Sequence, residues 1–177
     1  MTKTTSSPET KKPVNTATTV KTVNPATGQT IKEYSIMTKD EIEQKTKKAR
    51  STFQEWKKDI DRRSECLHYF AIELRKNKEE LAKLVTTEMG KTIKEARSEV
   101  EKCAWAVDYF ADNAKPFLSE QVINTDARKS FVSFEPVGVI GSIMPWNFPY
   151  WQALRFAAPS LMVGNTIVLK PASTTIE

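Results

Sequence analysis

The sequence predicts an α/β fold in which a helical region and a β-hairpin lead into the first βαβ unit of a parallel sheet. Three features carry this. Between residues 38 and 115, apolar side chains recur at steps of three and four, the period of one helix face. After Pro116 the period shortens, and Ser130-Phe131-Val132-Ser133-Phe134 alternates as a half-buried strand does. Residues 137–144 and 166–169 are then short, nearly continuous apolar runs, as strands covered on both faces require, and a helical stretch separates them. Strand, helix, strand at this spacing is a right-handed crossover between parallel strands.

Residues 1–21 are rich in Thr, Ser, Lys and Pro with little to bury, so a disordered tail is expected ahead of one partial domain over 22–177. Asn24-Pro25-Ala26-Thr27-Gly28 makes a turn, since proline fixes φ and glycine accepts a positive one. A short strand over 31–36 follows. Thr38 and Glu41 form a capping box ahead of a helix whose apolar face is Ile42, Ala49, Phe53 and Trp56. A second helix presents Leu67, Phe70, Ala71 and Leu74, and a third presents Leu81, Leu84, Val85 and Met89 with Gly90 as its C-cap. The fourth is the most regular, with Ile93, Ala96, Val100, Cys103, Val107, Phe110 and Ala114 on one stripe until Pro116 ends it. The helices thus occupy 38–115, a strand segment 121–136 and the βαβ unit 137–170. Pro149 suits the first turn of the crossover helix, and Gly164-Asn165 closes it. Two parallel strands leave both sheet edges unpaired, and no further strand follows before Glu177, so the chain is expected to stop partway through its architecture.

Bulk composition narrows the function. With 39% hydrophobic and 28% charged residues, the 177-residue chain is that of a folded protein with a real core. No apolar run approaches the roughly 20 residues of a membrane span, and the N-terminus lacks a signal core, so a cytoplasmic location and no membrane partner are expected. Of the net charge of +5, residues 1–35 contribute +3, and the remaining charges are mixed in sign along the helices. That is a solvated surface rather than a stripe tracking phosphates, and no nucleic-acid partner is expected. Two distant cysteines and one histidine make neither a disulfide framework nor a zinc site, and a Ser-His-Asp hydrolase is disfavoured. Cys103 lies on the buried stripe as a small hydrophobe, while Cys66 and His68 flank an apolar stripe in packing or surface positions. Neither a G-x-G-x-x-G nor a Walker A sequence occurs.

In open α/β sheets, ligands bind beyond the carboxyl ends of the strands. Two segments stand there: Met144-Pro145-Trp146-Asn147-Phe148-Pro149 and Lys170-Pro171-Ala172-Ser173. The Asn147 carboxamide, held between prolines, reads equally as an oxyanion donor and as a helper in capping the helix at Pro149, with Trp146 packing. Lys170 reads as a phosphate or ribose ligand or as an ordinary exposed lysine.

Taken with Glu135-Pro136-Val137-Gly138-Val139-Ile140-Gly141, Leu169-Lys170-Pro171-Ala172 and the early Asn24-Pro25-Ala26-Thr27-Gly28, the Ile143-to-Pro149 segment resembles the aldehyde dehydrogenase superfamily from about residue 22 onward. The resemblance implies a Rossmann-like sheet and an NAD(P) cofactor. It makes Asn147 the side-chain donor to the oxyanion of the aldehyde–thiolate adduct. It places Ile143, Met144, Pro145 and Trp146 beside the nicotinamide ribose, and Lys170 on the adenine ribose with Ala172 next to it. Ser173 matches a position where many NAD-preferring members carry glutamate; without that repulsion, NADP is expected to be tolerated or preferred. Glu88-Met89-Gly90-Lys91 and the run from Met144 to Gln152 are most similar to succinate-semialdehyde dehydrogenases. There Arg155 matches an arginine that pairs with the substrate's distal carboxylate, a role that suits a guanidinium fork; a helix-surface or subunit-contact arginine is the other reading.

Departures weigh as much. The family's nucleophilic cysteine, its glutamate base and its glycine-rich pyrophosphate segment fall C-terminal to Glu177, and neither Cys66 nor Cys103 sits in a matching context. The resemblance therefore implies an N-terminal part of an NAD(P)-dependent enzyme that oxidises an aldehyde, succinic semialdehyde foremost, to the acid. It also implies that these residues alone are inactive and that the complete enzyme is a homo-oligomer. The alternative is a non-catalytic module, or half of a split enzyme that pairs with a separate C-terminal chain.

Overall fold

A computed structural model of the chain describes residues 18–176. Strand β1 (Thr19–Val23) pairs antiparallel with β2 (Thr30–Ser35). The turn between them closes as anticipated: the Asn24 carbonyl accepts the Gly28 N–H at 2.8 Å and its side chain accepts the Ala26 N–H at 2.9 Å. One expectation is corrected here. The strand starts at Thr19, inside the stretch assigned to the tail, because Thr19-Val20-Lys21-Thr22-Val23 alternates and pairs with β2, burying Thr22 completely. Residues 1–17 of that stretch lie outside the described residues.

Four helices follow: α1 (Lys39–Trp56), α2 (Ile60–Lys76), α3 (Lys78–Met89) and α4 (Ile93–Phe117). The capping box of α1 is present, with the Thr38 N–H donating to Glu41 Oε2 at 2.7 Å and the Glu41 N–H to Thr38 Oγ1 at 3.3 Å. Its apolar face begins later than the spacing suggests. Ile42 stays exposed, and only Ala49, Phe53 and Trp56 are half-buried, because α1 docks through its second half. Gly90 ends α3 in the left-handed conformation, φ +75°, where a side chain is disfavoured. Pro116 sits inside the last turn of α4 rather than beyond it; near a helix end the missing N–H forfeits little.

The core is built from α2 (Leu67, Ala71, Leu74) and α4 (Val100, Cys103, Val107, Ala111), closed by α5 (Pro149–Val163) through Ala158 and Met162. Phe70, expected inside, is 43% exposed on the outer side of α2. Between α4 and the crossover, β3 (Gln121–Val122) and β4 (Phe131–Val132) pair over two residues only.

The crossover unit is β5 (Val139–Ile143), α5 and β6 (Thr166–Lys170), with β5 and β6 parallel in register from Val139↔Thr166 to Ile143↔Lys170. Full coverage of both strands is not met among the described residues, since Ile143 is 79% and Leu169 47% exposed. The C-terminal end of α5 is tied to the α1–α2 corner. Buried Arg63 donates to the carbonyls of Met162 and Trp56 at 3.0 and 2.9 Å, and Trp56 Nε1 donates to the Leu161 carbonyl at 3.0 Å. Gly164, φ +107°, turns the chain there so closely that a Cβ would stand 3.2 Å from the Lys57 backbone. Among the described residues, no helix is long and apolar enough to cross a membrane.

Candidate functional site

Parallel pairing decides where the two singled-out segments go. Ile143 and Lys170 are register partners at the carboxyl ends of their strands, and the Met144 N–H donates to the Lys170 carbonyl at 3.0 Å. The loop that begins at Met144 and the loop that begins at Pro171 therefore leave the same sheet edge side by side. On the first, Met144 is half-buried, while Pro145, Asn147 and the 57%-exposed Trp146 face solvent. On the second, the Lys170 ammonium is exposed and donates to the Pro171 carbonyl at 3.1 Å. Ala172 is half-buried, and Ser173 is exposed in a turn closed by the Thr175 N–H on the Ala172 carbonyl.

What fixes the first loop is a residue that the sequence reading did not single out. Pro149 opens α5, yet Phe148, at the N-cap, brings no side-chain oxygen to its orphan N–H groups. Glu99 of α4 supplies it from across the helix interface, its Oε1 accepting the N–H of both Tyr150 and Trp151 at 3.0 Å. Its other oxygen pairs with the Lys91 ammonium, which in turn rests 3.7 Å from the centre of the Phe148 ring. Both charged side chains are buried, at 1% and 7% exposure. An isolated buried carboxylate would be costly; here an ammonium, two amides and the positive end of a helix offset that cost. Its position carried a signal, because Glu99 falls between Ala96 and Cys103 at steps of three and four, on the buried stripe of α4.

This anchoring bears on Asn147. Glu99 does the capping, so that task does not fall to Asn147, whose carboxamide makes no hydrogen bond among the described residues. Trp146 does not pack inward either. The result is an open amide donor on a stretch held by Pro145, Pro149 and the Glu99 anchor. Arg155 lies exposed on α5, two turns past the loop and unpaired with any carboxylate among the described residues. Lys102, also passed over in the sequence, reaches a groove beside Phe148 and Trp151.

Neither cysteine supplies a nucleophile to this edge. Cys103 is fully buried, and burial, reinforced by the Glu99 charge, pushes its thiol up to about 12, far from a thiolate at neutral pH. Cys66 is exposed on α2. His68 bridges α2 to α4, with Nδ1 3.0 Å from Asp108 and Nε2 3.2 Å from Asp112. Arg75 also grips Asp108 at 2.7 Å. Burial works to raise the Asp108 carboxyl, but the hydrogen bonds from His68 and Arg75 outweigh it and hold the group below its ordinary value. This cluster ties two helices together, away from the sheet edge. Among the described residues, no three metal-ligating side chains gather to hold an ion.

Comparison with known proteins agrees with this architecture. The model of the aldehyde dehydrogenase family matches residues 13–176. A probable succinate-semialdehyde dehydrogenase [NADP(+)] of Synechocystis sp. is 44% identical over 155 residues, covering 87% of this chain and 34% of the relative. A succinate-semialdehyde dehydrogenase [NADP(+)] of Mycobacterium ulcerans is 40% identical over 159 residues, again 87% of this chain and 35% of the relative. Among solved structures, succinic semialdehyde dehydrogenase from Streptococcus pyogenes, in complex with NADP+, superposes with a TM-score of 0.85 at 35% identity. That match covers 88% of this chain and 35% of that one. The chain thus spans about a third of the length of the relatives it matches.

Proposed function

The chain belongs to the aldehyde dehydrogenase family, and from that premise we propose that it carries the oxyanion donor and part of the dinucleotide site of an NADP-accepting enzyme that oxidises succinic semialdehyde, or a close analogue, to the acid. The observation that carries this reading is the uncommitted Asn147 carboxamide on a loop whose capping need is met by Glu99. A donor that is already held needs no reorganisation when a carbonyl oxygen gains charge. Asn147 Nδ2 would donate to that oxygen as the carbonyl carbon becomes tetrahedral. Arg155, unpaired and always charged, would orient the substrate through its distal carboxylate.

The donor set at the sheet edge fits a dinucleotide. The Lys170 ammonium has three N–H groups and gives one to Pro171, leaving two for a ribose or phosphate. Ser173 adds a hydroxyl on the neighbouring turn and no negative charge, so a 2′-phosphate meets attraction from Lys170 without opposition. When the dinucleotide is bound, its nicotinamide would accept the hydride. The residues of this chain bind and orient: Ile143, Met144, Pro145 and Trp146 form the wall beside the nicotinamide ribose, and Ala172 lets the second loop approach closely. The attacking thiol is neither Cys66 nor the buried Cys103, so these residues by themselves are expected to give no turnover.

The test fuses this chain to the remaining two-thirds of the fold from the Synechocystis relative and follows NADPH formation from succinic semialdehyde. Asn147→Ala should lower kcat by about 10²–10³ with little change in KM. An unchanged kcat would refute the oxyanion role. Aldehyde-dependent NADPH production by the unfused 177 residues would refute the assignment of the nucleophile to residues outside them.

A further inference from the structure

Lys91, the last residue of the Glu88-Met89-Gly90-Lys91 segment, is the single residue between two helix ends. Gly90 closes α3 in the left-handed conformation, and Thr92 opens α4, its hydroxyl accepting the Glu95 N–H at 3.3 Å. A Cβ on Gly90 would stand 3.1 Å from Pro25 Cγ, so the turn is pressed against the β1–β2 corner with little room to shift. From that fixed backbone the lysine runs inward, and its side chain is only 7% exposed. Burying an ammonium is costly without partners, and Lys91 has two. Glu99 holds it from α4, and the Phe148 ring lies across it. The two partners reach α5 at different points. Glu99 takes the N–H groups of Tyr150 and Trp151, behind the loop. Lys91 acts nearer to Asn147, at Phe148, which makes no side-chain cap of its own. An ammonium over a ring face attracts it, the more so where water is kept out.

The geometry points to Lys91 as a positioning residue for the reaction: its ammonium seats Phe148 and, through the peptide unit that Phe148 shares with Asn147, aims the Asn147 carboxamide. This rests on the oxyanion role of Asn147 above. That carboxamide makes no hydrogen bond among the described residues, so its direction depends on the backbone to either side. A donor displaced by about 1 Å can lose about a hundredfold in rate. Groups that hold the aldehyde in its ground state are untouched by such a shift, so the loss belongs to kcat rather than to KM. Methionine in place of Lys91 has similar length and no charge, and it separates the cation from the bulk.

The experiment follows NADPH formation by the fused enzyme carrying Lys91→Met, Asn147→Ala and the two together. Lys91→Met should lower kcat by at least about tenfold and change KM by less than about twofold. Added to Asn147→Ala, it should lower kcat by less than about twofold more, because the group it aims is gone. An equal loss in both backgrounds overturns the proposal. Lys91→Met with Glu99→Gln leaves no buried charge unpaired, so its urea midpoint should move back toward the wild type while kcat stays low. A kcat that recovers with the midpoint would mean that Lys91 only supports the fold, and it sinks the positioning role. If Asn147→Ala lowers kcat and Lys91→Met does not, Lys91 alone falls; if Asn147→Ala leaves kcat unchanged, the oxyanion reading falls and takes Lys91 with it. In the isotope-labelled 177-residue chain, Lys91→Met should shift the NMR signals of the Asn147 carboxamide and the Phe148 amide, and leave those of Lys170 and Ser173 in place. An unmoved Asn147 signal overturns the proposal without recourse to turnover.

Discussion

Replacing Glu99 by alanine removes one side chain and strands three partners. The N–H groups of Tyr150 and Trp151 lose the acceptor they share at 3.0 Å, and the Lys91 ammonium, 7% exposed, loses its counter-ion. Breaking a buried pair from one side costs about 3–5 kcal/mol, because the remaining charge stays desolvated. Unmet buried amides add about 1–3 kcal/mol each unless water reaches them. Against a usual stability of about 5–15 kcal/mol, Glu99→Ala should leave the fold close to its limit. Glu99→Gln keeps an oxygen for the two amides and should be milder. The combination of Lys91→Met with Glu99→Gln should recover part of the loss, with a coupling above about 1 kcal/mol. Urea denaturation of wild type, these three variants and Lys91→Met alone, followed by circular dichroism, gives all the terms of the cycle. A loss below about 1 kcal/mol for Glu99→Ala would mean that the carboxylate does not anchor α5, and the explanation of the uncommitted Asn147 would fall with it.

Further outcomes follow from the same geometry. Asp108 is held below its ordinary value of 3.8, so its contribution to stability is complete above that value and disappears as the pH falls through the depressed one. The urea midpoint of the wild type should therefore drop more steeply than that of Asp108→Asn below about pH 4, and parallel curves would exclude the His68–Asp108–Arg75 cluster as a source of acid sensitivity. Thiol labelling of the native chain should modify exposed Cys66 and leave buried Cys103 until denaturant is added; rapid modification of both would contradict the α2–α4 core. In the fused enzyme, Ser173→Glu should cut the preference for NADP over NAD by at least about tenfold through repulsion of the 2′-phosphate, and an unchanged ratio would remove Ser173 from the cofactor site.

What the sequence revealed was local in its physics. The Thr38–Glu41 box, the left-handed glycine after α3 and the stripe through Cys103 each depend on a few adjacent residues, and each stands where the pattern put it. The parallel pair was legible for a similar reason, since its two apolar runs and bounded helix follow in order. The missed parts depend on distant partners. Thr19-Val20-Lys21-Thr22-Val23 is polar enough to look like tail until β2 pairs with it. Glu99 falls on the buried stripe of α4, but its pairing with Lys91 and its hold on α5 follow only from the docking of α5. Lys102 finds an aromatic face only when Trp151 arrives beneath it. Of the candidate site, the two loops could be foreseen, and the supports behind them could not.

The ties between Arg63, Trp56 and the end of α5 have a consequence for how this protein is made. These hydrogen bonds join residues about a hundred positions apart, and Met162, fully buried, plugs the space between α2 and α4. A ribosome releases the helices first, and for that interval the chain carries a slot with no occupant and an arginine that has the Trp56 carbonyl but not yet that of Met162. Closure waits for a segment synthesised roughly a hundred residues later, so the nascent helices are a natural client for a chaperone that shields apolar surface. A stall anywhere before α5 emerges would leave them sticky rather than folded.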